Sequence, residues 1–229
     1  MPLIRSLEPL YTADGWSTDI QAVIDRLVAK FTGGVFNAQA NRVAQQTVSR
    51  ADSINDRQFL ESVNRAVGID FFNPINTPGI DNYLESSVLD NTNLIKSISS
   101  QYLERVQDIV MNGTRAGSTP GVIAKSLSKQ FGINQRRAKN IARDQVAKLN
   151  GDLTAKRQQN AGIEYFQWVT SEDSRVGADH DLASDRQTKY GKGVYRWDDP
   201  PPEGIPGHST RPNCRCTARP IFKWQLKKS

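Results

Sequence analysis

The chain is poor in the side chains that most often build catalytic and redox centres. Its 229 residues include only two cysteines, two histidines and two methionines, and aromatic residues make up 8% of the total. Two cysteines are too few for a disulfide framework, so stability is expected to come from packing. Histidine is the side chain that most often acts as a general acid or base in enzymes, and only two are available here.

Long hydrophobic runs are missing as well. No stretch approaches the ~18 uninterrupted apolar residues that a bilayer-spanning helix requires. Residues 1–5 show neither the basic-then-apolar order nor the small-residue cleavage site of a secretory signal. We therefore expect no membrane partner, and we expect the protein to act where it is made or assembled.

Charge and proline divide the sequence into three segments. Residues 1–113 have 9 Lys and Arg against 13 Asp and Glu, residues 114–160 have 10 against 2, and residues 161–229 have 11 against 9. Six of the 11 prolines lie between positions 200 and 220. The length suits one large domain or two smaller ones. We predict a helical region at 1–113, a basic helical segment at 114–160 and a compact module at 161–229.

The first segment is predicted to be all α. Apolar residues recur there every three or four positions, which indicates amphipathic helices at about 16–31, 38–51, 59–67 and 92–112. The helix at 38–51 has few apolar residues, so we expect it to be exposed or paired with another chain. An assembly with so many polar faces suits either a solvated monomer or a protein that binds a larger partner.

The basic segment is predicted to be a pair of helices. The first begins after Ser118 and Thr119 and ends at Gly132, and the second is capped by Asn134. Two helices joined at a glycine are also typical of helix-turn-helix DNA-binding proteins. Only Asp144 and Asp152 offset the basic side chains of the second helix. These side chains are Arg136, Arg137, Lys139, Arg143, Lys148, Lys156 and Arg157.

Such a basic face has two interpretations. It is either a surface that binds phosphate groups of nucleic acid without reading the sequence, or an ordinary solvated helix face. No aromatic side chain is interleaved among the charges. Base stacking is therefore not expected, and any nucleic acid should be bound non-specifically.

All the histidines and cysteines of the chain lie between positions 180 and 216: His180, His208, Cys214 and Cys216. Thiolate and imidazole are the ligands that zinc prefers, and four of them form a closed structural site. We therefore predict these four residues as candidate ligands of a structural zinc ion. The main alternative is a pair of reduced structural cysteines with histidines that only form hydrogen bonds, and a redox-active thiol pair is a third interpretation.

The third segment is predicted to be a small α+β module, so the fold class is mainly α with this module at the carboxyl end. Residues 165–169 are apolar and aromatic, which predicts a strand, and residues 170–173 have turn composition. Asp173 and Arg175 are expected to form a structural ion pair that fixes this turn. A metal-dependent nuclease using Asp173, Asp179 and His180 is the alternative.

The order of these motifs resembles the carboxyl-terminal domain of the phage minor head proteins, the Mu F-like or SPP1 head-morphogenesis family. The resemblance covers about residues 115–222. Its parts are the stretch 141–145, the Pro206-Gly207-His208 turn, the residues Trp168, Thr170, Asp173, Arg175, Val176 and His180, and the run from Asn213 to Thr217 followed by Pro220.

The resemblance implies a structural protein of the virion and not an enzyme. It implies a few copies per particle at the portal vertex or in the capsid interior, made in the host cytoplasm. The implied partners are the portal protein, the major capsid protein and phage double-stranded DNA, and the implied roles are head morphogenesis and DNA packaging or ejection. A DNA-processing enzyme and a helix-turn-helix regulator are the competing hypotheses.

Overall fold

The computed structural model describes residues 16–68 and 78–226, and within them the chain is mainly α with a small α+β module. Five α-helices are present in this part of the chain. They are α1 (Trp16–Thr32), α2 (Gly34–Val67), α3 (Ile80–Arg115), α4 (Pro120–Asn160) and α5 (Ala178–Asp185). The predicted fold class is confirmed. None of these helices has the length and apolar content needed to cross a membrane.

Two predicted helix boundaries are wrong. The helices expected at 38–51 and 59–67 are one helix, α2, because the polar residues between them are satisfied by partners on α4. The helix pair expected around Gly132 is also one helix, α4, so there is no helix-turn-helix here. A glycine inside a helix costs only about 1 kcal/mol relative to alanine, which the rest of a 41-residue helix overcomes. Between α2 and α3, the sequence at 71–79 contains Pro74, Pro78 and Gly79 and predicts a loop, of which residues 71–77 lie outside the described part.

The chain forms two compact units, each assembled from two separate stretches of sequence. Of the described residues, 16–44 and 89–140 form the first unit, and 45–68, 78–88 and 141–226 form the second. The core of the first unit joins α1, α3 and α4 through Ile24, Val106, Val110, Ile123 and Leu127. The three charge segments therefore remain a division of the sequence, and each unit draws on more than one of them.

The second unit contains the α+β module. Its three-stranded antiparallel sheet has the order β4 (Val194–Arg196), β1 (Tyr165–Val169), β5 (Thr217–Ile221). The strand predicted at 165–169 is β1, the central strand. A two-stranded hairpin, β2 (Gln187–Thr188) and β3 (Gly191–Lys192), and a short 3-10 helix at Lys223–Gln225 complete the module. Its core contains Phe166 and Trp197, whose rings stack with their centroids 4.1 Å apart.

A buried polar cluster joins α2 to α4 in the second unit. Arg157 is 4% exposed and donates hydrogen bonds to Asn55 and, at 2.7 Å, to Asp52. Its Nε also lies 3.3 Å from a carboxylate oxygen of Asp56. Asn55 is 1% exposed and donates to Asn150 and Thr154 on α4. The charge of Arg157 is therefore paired inside the unit.

Two glycines let the 206–208 turn approach α4 closely. A Cβ atom at Gly151 would lie 2.5 Å from the carbonyl oxygen of Pro206, and Gly207 has φ +86°. Gly207 itself sits against the backbone of Ala147 and Gly151. Because this turn leads directly into the cysteine segment, the contact helps to place both cysteines beside α5.

Candidate functional site

Three of the four predicted ligands meet in the core of the second unit. His180 lies on α5, and Cys214 and Cys216 lie just before β5. The Nδ1 atom of His180 is 3.7 Å from Sγ of Cys214 and 3.4 Å from Sγ of Cys216. All three residues are buried, their ligand atoms lie within 4.8 Å of one another, and both cysteines are free. This group is a candidate metal site.

The fourth predicted ligand, His208, does not join the group. Its Nδ1 atom lies 2.8 Å from Asp152 Oδ1 on α4, and its side chain is 47% exposed. Asp152 also accepts a hydrogen bond from Tyr83 at 2.7 Å. The close packing of the 206–208 turn on α4 holds His208 beside this helix. The predicted set of four ligands is therefore a set of three in the structure.

The surroundings of Cys214 stabilise a thiolate. The hydrogen bond from the Cys216 side chain, together with those from the backbone N–H groups of Cys216 and Gly207, lowers the pKa of Cys214 to about 5. The same hydrogen bond and burial raise the pKa of Cys216. The hydrogen bond between the two sulfur atoms therefore favours the charged form of Cys214 and the neutral form of Cys216.

One ring nitrogen of the group has no partner. His180 is 3% exposed and Trp168 is 2% exposed, and their rings meet edge to face at 5.2 Å. Within the described residues, His180 Nε2 has no hydrogen-bond partner, whereas the Trp168 side chain is a hydrogen-bond partner of the Cys216 sulfur. A buried polar atom without a partner costs about 1–3 kcal/mol, so the polar atoms of this group are not all satisfied.

The predicted ion pair between Asp173 and Arg175 is present in the turn, and a third residue, Arg215, also takes part. Asp173 accepts hydrogen bonds from the backbone and side chain of Arg175, both at 3.0 Å. Arg215, between the two cysteines, also binds both oxygens of Asp173 through its guanidinium group. Hydrogen bonds from Arg215 and Arg175 hold the pKa of Asp173 well below its ordinary value. The turn is therefore joined to the cysteine segment.

The residues of the nuclease alternative do not converge. Asp173 is occupied by Arg215 and Arg175, and Asp179 lies 2.6 Å from Nε of Arg211. His180 faces the two cysteines. Among the described residues, the cysteine and histidine group is the one set able to hold a metal ion, and neither aspartate belongs to it.

The predicted basic residues have different surroundings. Lys148 pairs with Asp144 at 2.7 Å, Lys156 lies over the Tyr83 ring at 4.9 Å, and Arg157 is buried. The buried Arg157 is a correction, because it cannot contact nucleic acid. The remaining predicted residues are exposed: Arg136, Arg137 and Lys139 in the first unit and Arg143 in the second.

Two further basic residues were missed by the sequence analysis. Lys125 and Lys129 are exposed, and they belong to the same helix and the same unit as Arg136 and Lys139. The wrong break at Gly132 separated them from the rest. Positions 125, 129, 136 and 139 return to one side of a helix with 3.6 residues per turn. We call these four residues the α4 basic stripe.

Comparison with known proteins identifies the family. The family model described as phage Mu protein F like protein matches residues 104–219, just over half of the chain. The chain belongs to this family. The resemblance found in the sequence is thereby confirmed, and membership of the Mu F-like family implies a bacteriophage head protein and a place in the virion.

The Mu F-like chain is also similar to a curated protein. An uncharacterized protein of Haemophilus influenzae is 32% identical to it over 212 residues. The alignment covers 92% of this chain and 45% of the relative, so the chain spans less than half the length of that protein. No solved structure matches the chain significantly.

Proposed function

We propose that this chain is a minor head protein of a tailed bacteriophage, present in few copies at the portal vertex or in the capsid interior. It takes part in head morphogenesis and in DNA packaging or ejection, and its partners are the portal protein, the major capsid protein and phage DNA. The observation that carries this proposal is membership of the Mu F-like family. In this proposal the protein acts by binding and not by turnover.

The α4 basic stripe supports contact with DNA. Its four cationic side chains span positions 125 to 139, or about 21 Å of helix, which is comparable with six phosphate spacings along one strand. No Asp or Glu occurs between positions 120 and 143, so the sequence around the stripe leaves its charge uncompensated. Within the described residues, none of the four lies in an ion pair. Such a surface suits the phosphate backbone of packaged DNA.

Salt dependence of DNA binding tests this part of the proposal. Four phosphate contacts predict a slope of about −3.6 for the logarithm of the association constant against the logarithm of salt concentration. The double variant Lys125→Ala/Lys129→Ala is expected to reduce the slope to about −1.8 on duplexes of any sequence. Fluorescence anisotropy with two unrelated duplexes measures both slopes.

The matched control is Arg42→Ala/Arg57→Ala, which removes the same charge from exposed positions of α2. Its slope is expected to equal that of the wild type. If the slope falls by the same amount in both double variants, the net charge of the protein and not the α4 basic stripe determines DNA binding. Strong preference for one duplex would contradict non-specific binding.

The exposed apolar side chains of the first unit support a protein partner. Val35 is 86% exposed and Val43 is 46% exposed on α2, and Leu89 is 61% exposed on α3. All three fall in the region 1–113, for which we propose contact with the portal or the inner capsid wall. Burial of such side chains against another chain is worth about 1.5–3 kcal/mol for each.

A structural zinc ion at His180, Cys214 and Cys216 is also part of the proposed function. It supports the role of the second unit as a rigid element, because a metal joins segments that are distant in sequence. His180 and the cysteines are 34 and 36 residues apart. In this proposal the metal serves architecture.

A further inference from the structure

The candidate metal site offers three side chains where a closed zinc site needs four. Structural zinc sites are almost always tetrahedral with four protein ligands, whereas sites with three protein ligands keep a position for water or another small molecule. In the described part of the chain, the group contains Cys214, Cys216 and His180 and no other cysteine, histidine, aspartate or glutamate. His208 is held away by Asp152.

We propose that this group binds one zinc ion through Sγ of Cys214, Sγ of Cys216 and Nδ1 of His180, with water or a small anion as the fourth ligand. This inference rests on the zinc ion included in the proposed function and adds its coordination: which nitrogen binds, which histidine does not, and an exchangeable position.

The distances between the ligand atoms fit such an ion. For tetrahedral zinc with Zn–N of about 2.0 Å and Zn–S of about 2.3 Å, nitrogen and sulfur ligands lie about 3.5 Å apart. The observed separations from Nδ1 are 3.4 Å to Cys216 and 3.7 Å to Cys214. The ligand atoms are therefore already placed around a point where the ion fits.

The surroundings supply what metal-bound thiolates need. The backbone N–H groups of Cys216 and Gly207 donate to Sγ of Cys214. Hydrogen bonds of this kind fix ligand orientation and stabilise the negative charge of the sulfur. Asn213 has φ +58°, a left-handed conformation that turns the chain immediately before Cys214. This local geometry serves to present both sulfur atoms to the same side.

A groove gives small molecules a route to this part of the unit. Cys216 is one of the residues that line a cavity of about 740 Å³ between α2, α4 and β5. Val169, Pro206 and Thr217 also line it. Cys216 thus places one edge of the buried group beside this cavity, which is the side from which an exchangeable fourth ligand would enter.

The first test is metal content of the full-length protein and its variants by elemental analysis. About one equivalent of zinc is expected in the wild type, since a buried site of this kind retains its ion. His180→Gln and Cys216→Ser are expected to lose it, and His208→Ala, the matched histidine control, is expected to keep it. Folded wild-type protein with less than about a tenth of an equivalent after zinc loading, or loss of zinc in His208→Ala, would overturn the proposal.

The second test needs no variant, so it stands even where His180→Gln or Cys216→Ser fails to fold. Zinc in the wild type is exchanged for cobalt, and the visible absorption of the cobalt protein is followed as azide is added. Azide is expected to shift the spectrum in a saturable way, because the fourth position exchanges. A tetrahedral cobalt spectrum that azide leaves unchanged would mean four protein ligands and would overturn the open position.

These outcomes are separate from those of the proposed DNA contact. The α4 basic stripe belongs to the first unit and the metal group to the second. Absence of zinc with an intact salt slope would reject the zinc ion together with its coordination, whereas bound zinc with an azide-insensitive cobalt spectrum would reject the open position alone. Bound zinc without the expected salt slope would reject the DNA contact and leave the metal site standing.

Discussion

Replacing Arg157 with methionine tests whether the buried polar cluster holds α2 against α4. Methionine retains most of the length and apolar volume of the side chain but supplies no donor. Asn55, which is 1% exposed, would lose its donor from Arg157, and an unsatisfied buried group costs about 1–3 kcal/mol. The side chains of Asp52 and Asp56 are 27% and 36% exposed, so water can replace part of their pairing.

Together these losses predict destabilisation of about 3 kcal/mol, at the lower end of the range for breaking a buried ion pair. With a urea m-value of about 2.5 kcal/mol/M, the unfolding midpoint should fall by about 1.2 M. Tryptophan fluorescence follows the second unit, because Trp168, Trp197 and Trp224 all belong to it.

Arg57→Met is the control, since Arg57 is exposed on the same helix as Asn55, and its effect should stay within about 0.5 kcal/mol. A loss below about 1 kcal/mol for Arg157→Met would refute the reasoning, because the cluster would then be rehydrated and not buried.

Two other predictions follow from the close turn and from the Asp173 ion pairs. Gly151→Ala places a Cβ atom 2.5 Å from the Pro206 carbonyl and should cost at least about 2 kcal/mol in thermal unfolding, whereas Gly132→Ala, with no atom within 4 Å of its Cβ, should stabilise α4 by about 0.5–1 kcal/mol. Equal changes in thermal stability for the two variants would show that the 206–208 turn moves away from α4 without cost. Because Arg215 and Arg175 depress the pKa of Asp173, its contribution to stability is present above the unfolded pKa of about 3.9 and is lost as pH falls through the folded pKa. Asp173→Asn should therefore lower the urea midpoint at pH 7 and match the wild type at the acid end of the titration. A difference in urea midpoint that stays the same at every pH would contradict a contribution from the ion pairs.

Much of the fold could be predicted from the periodicity of apolar residues and from local composition. The run 165–169 has the length and the aromatic content of a strand, and it is the central strand of the sheet. Pro120 follows a serine and a threonine, and α4 begins there. These features depend on neighbouring residues alone, so the sequence contains the information needed to predict them.

The errors arose where distant contacts override local signals. Asp52 and Asn55 interrupt the apolar pattern of α2, and their hydrogen-bond partners, of which Arg157 binds both, lie about 100 residues later on α4. Gly132 suggests a helix end, yet α4 continues through it. That single error hid Lys125 and Lys129 from the basic surface.

The sequence indicated which residue types could bind the metal, but it did not indicate which of the four candidate residues come together. Scarcity of histidine and cysteine pointed to four residues, and three of them meet. His208 is close to Cys214 in sequence and yet lies on Asp152, whereas His180 is 34 residues away and contacts both sulfur atoms. The approach of the 206–208 turn to Gly151 decides this, and such a backbone contact leaves no periodic signal in the sequence.

The proposed function makes this Mu F-like chain a structural component of the phage head at the portal vertex. Reconstruction of DNA-filled, nuclease-treated particles without imposed icosahedral symmetry tests it most directly, with mass spectrometry of the same particles to quantify the polypeptide. The account predicts a few copies per particle, with density for the two units beside the portal and α4 facing DNA. Infectious particles that lack the polypeptide would contradict it.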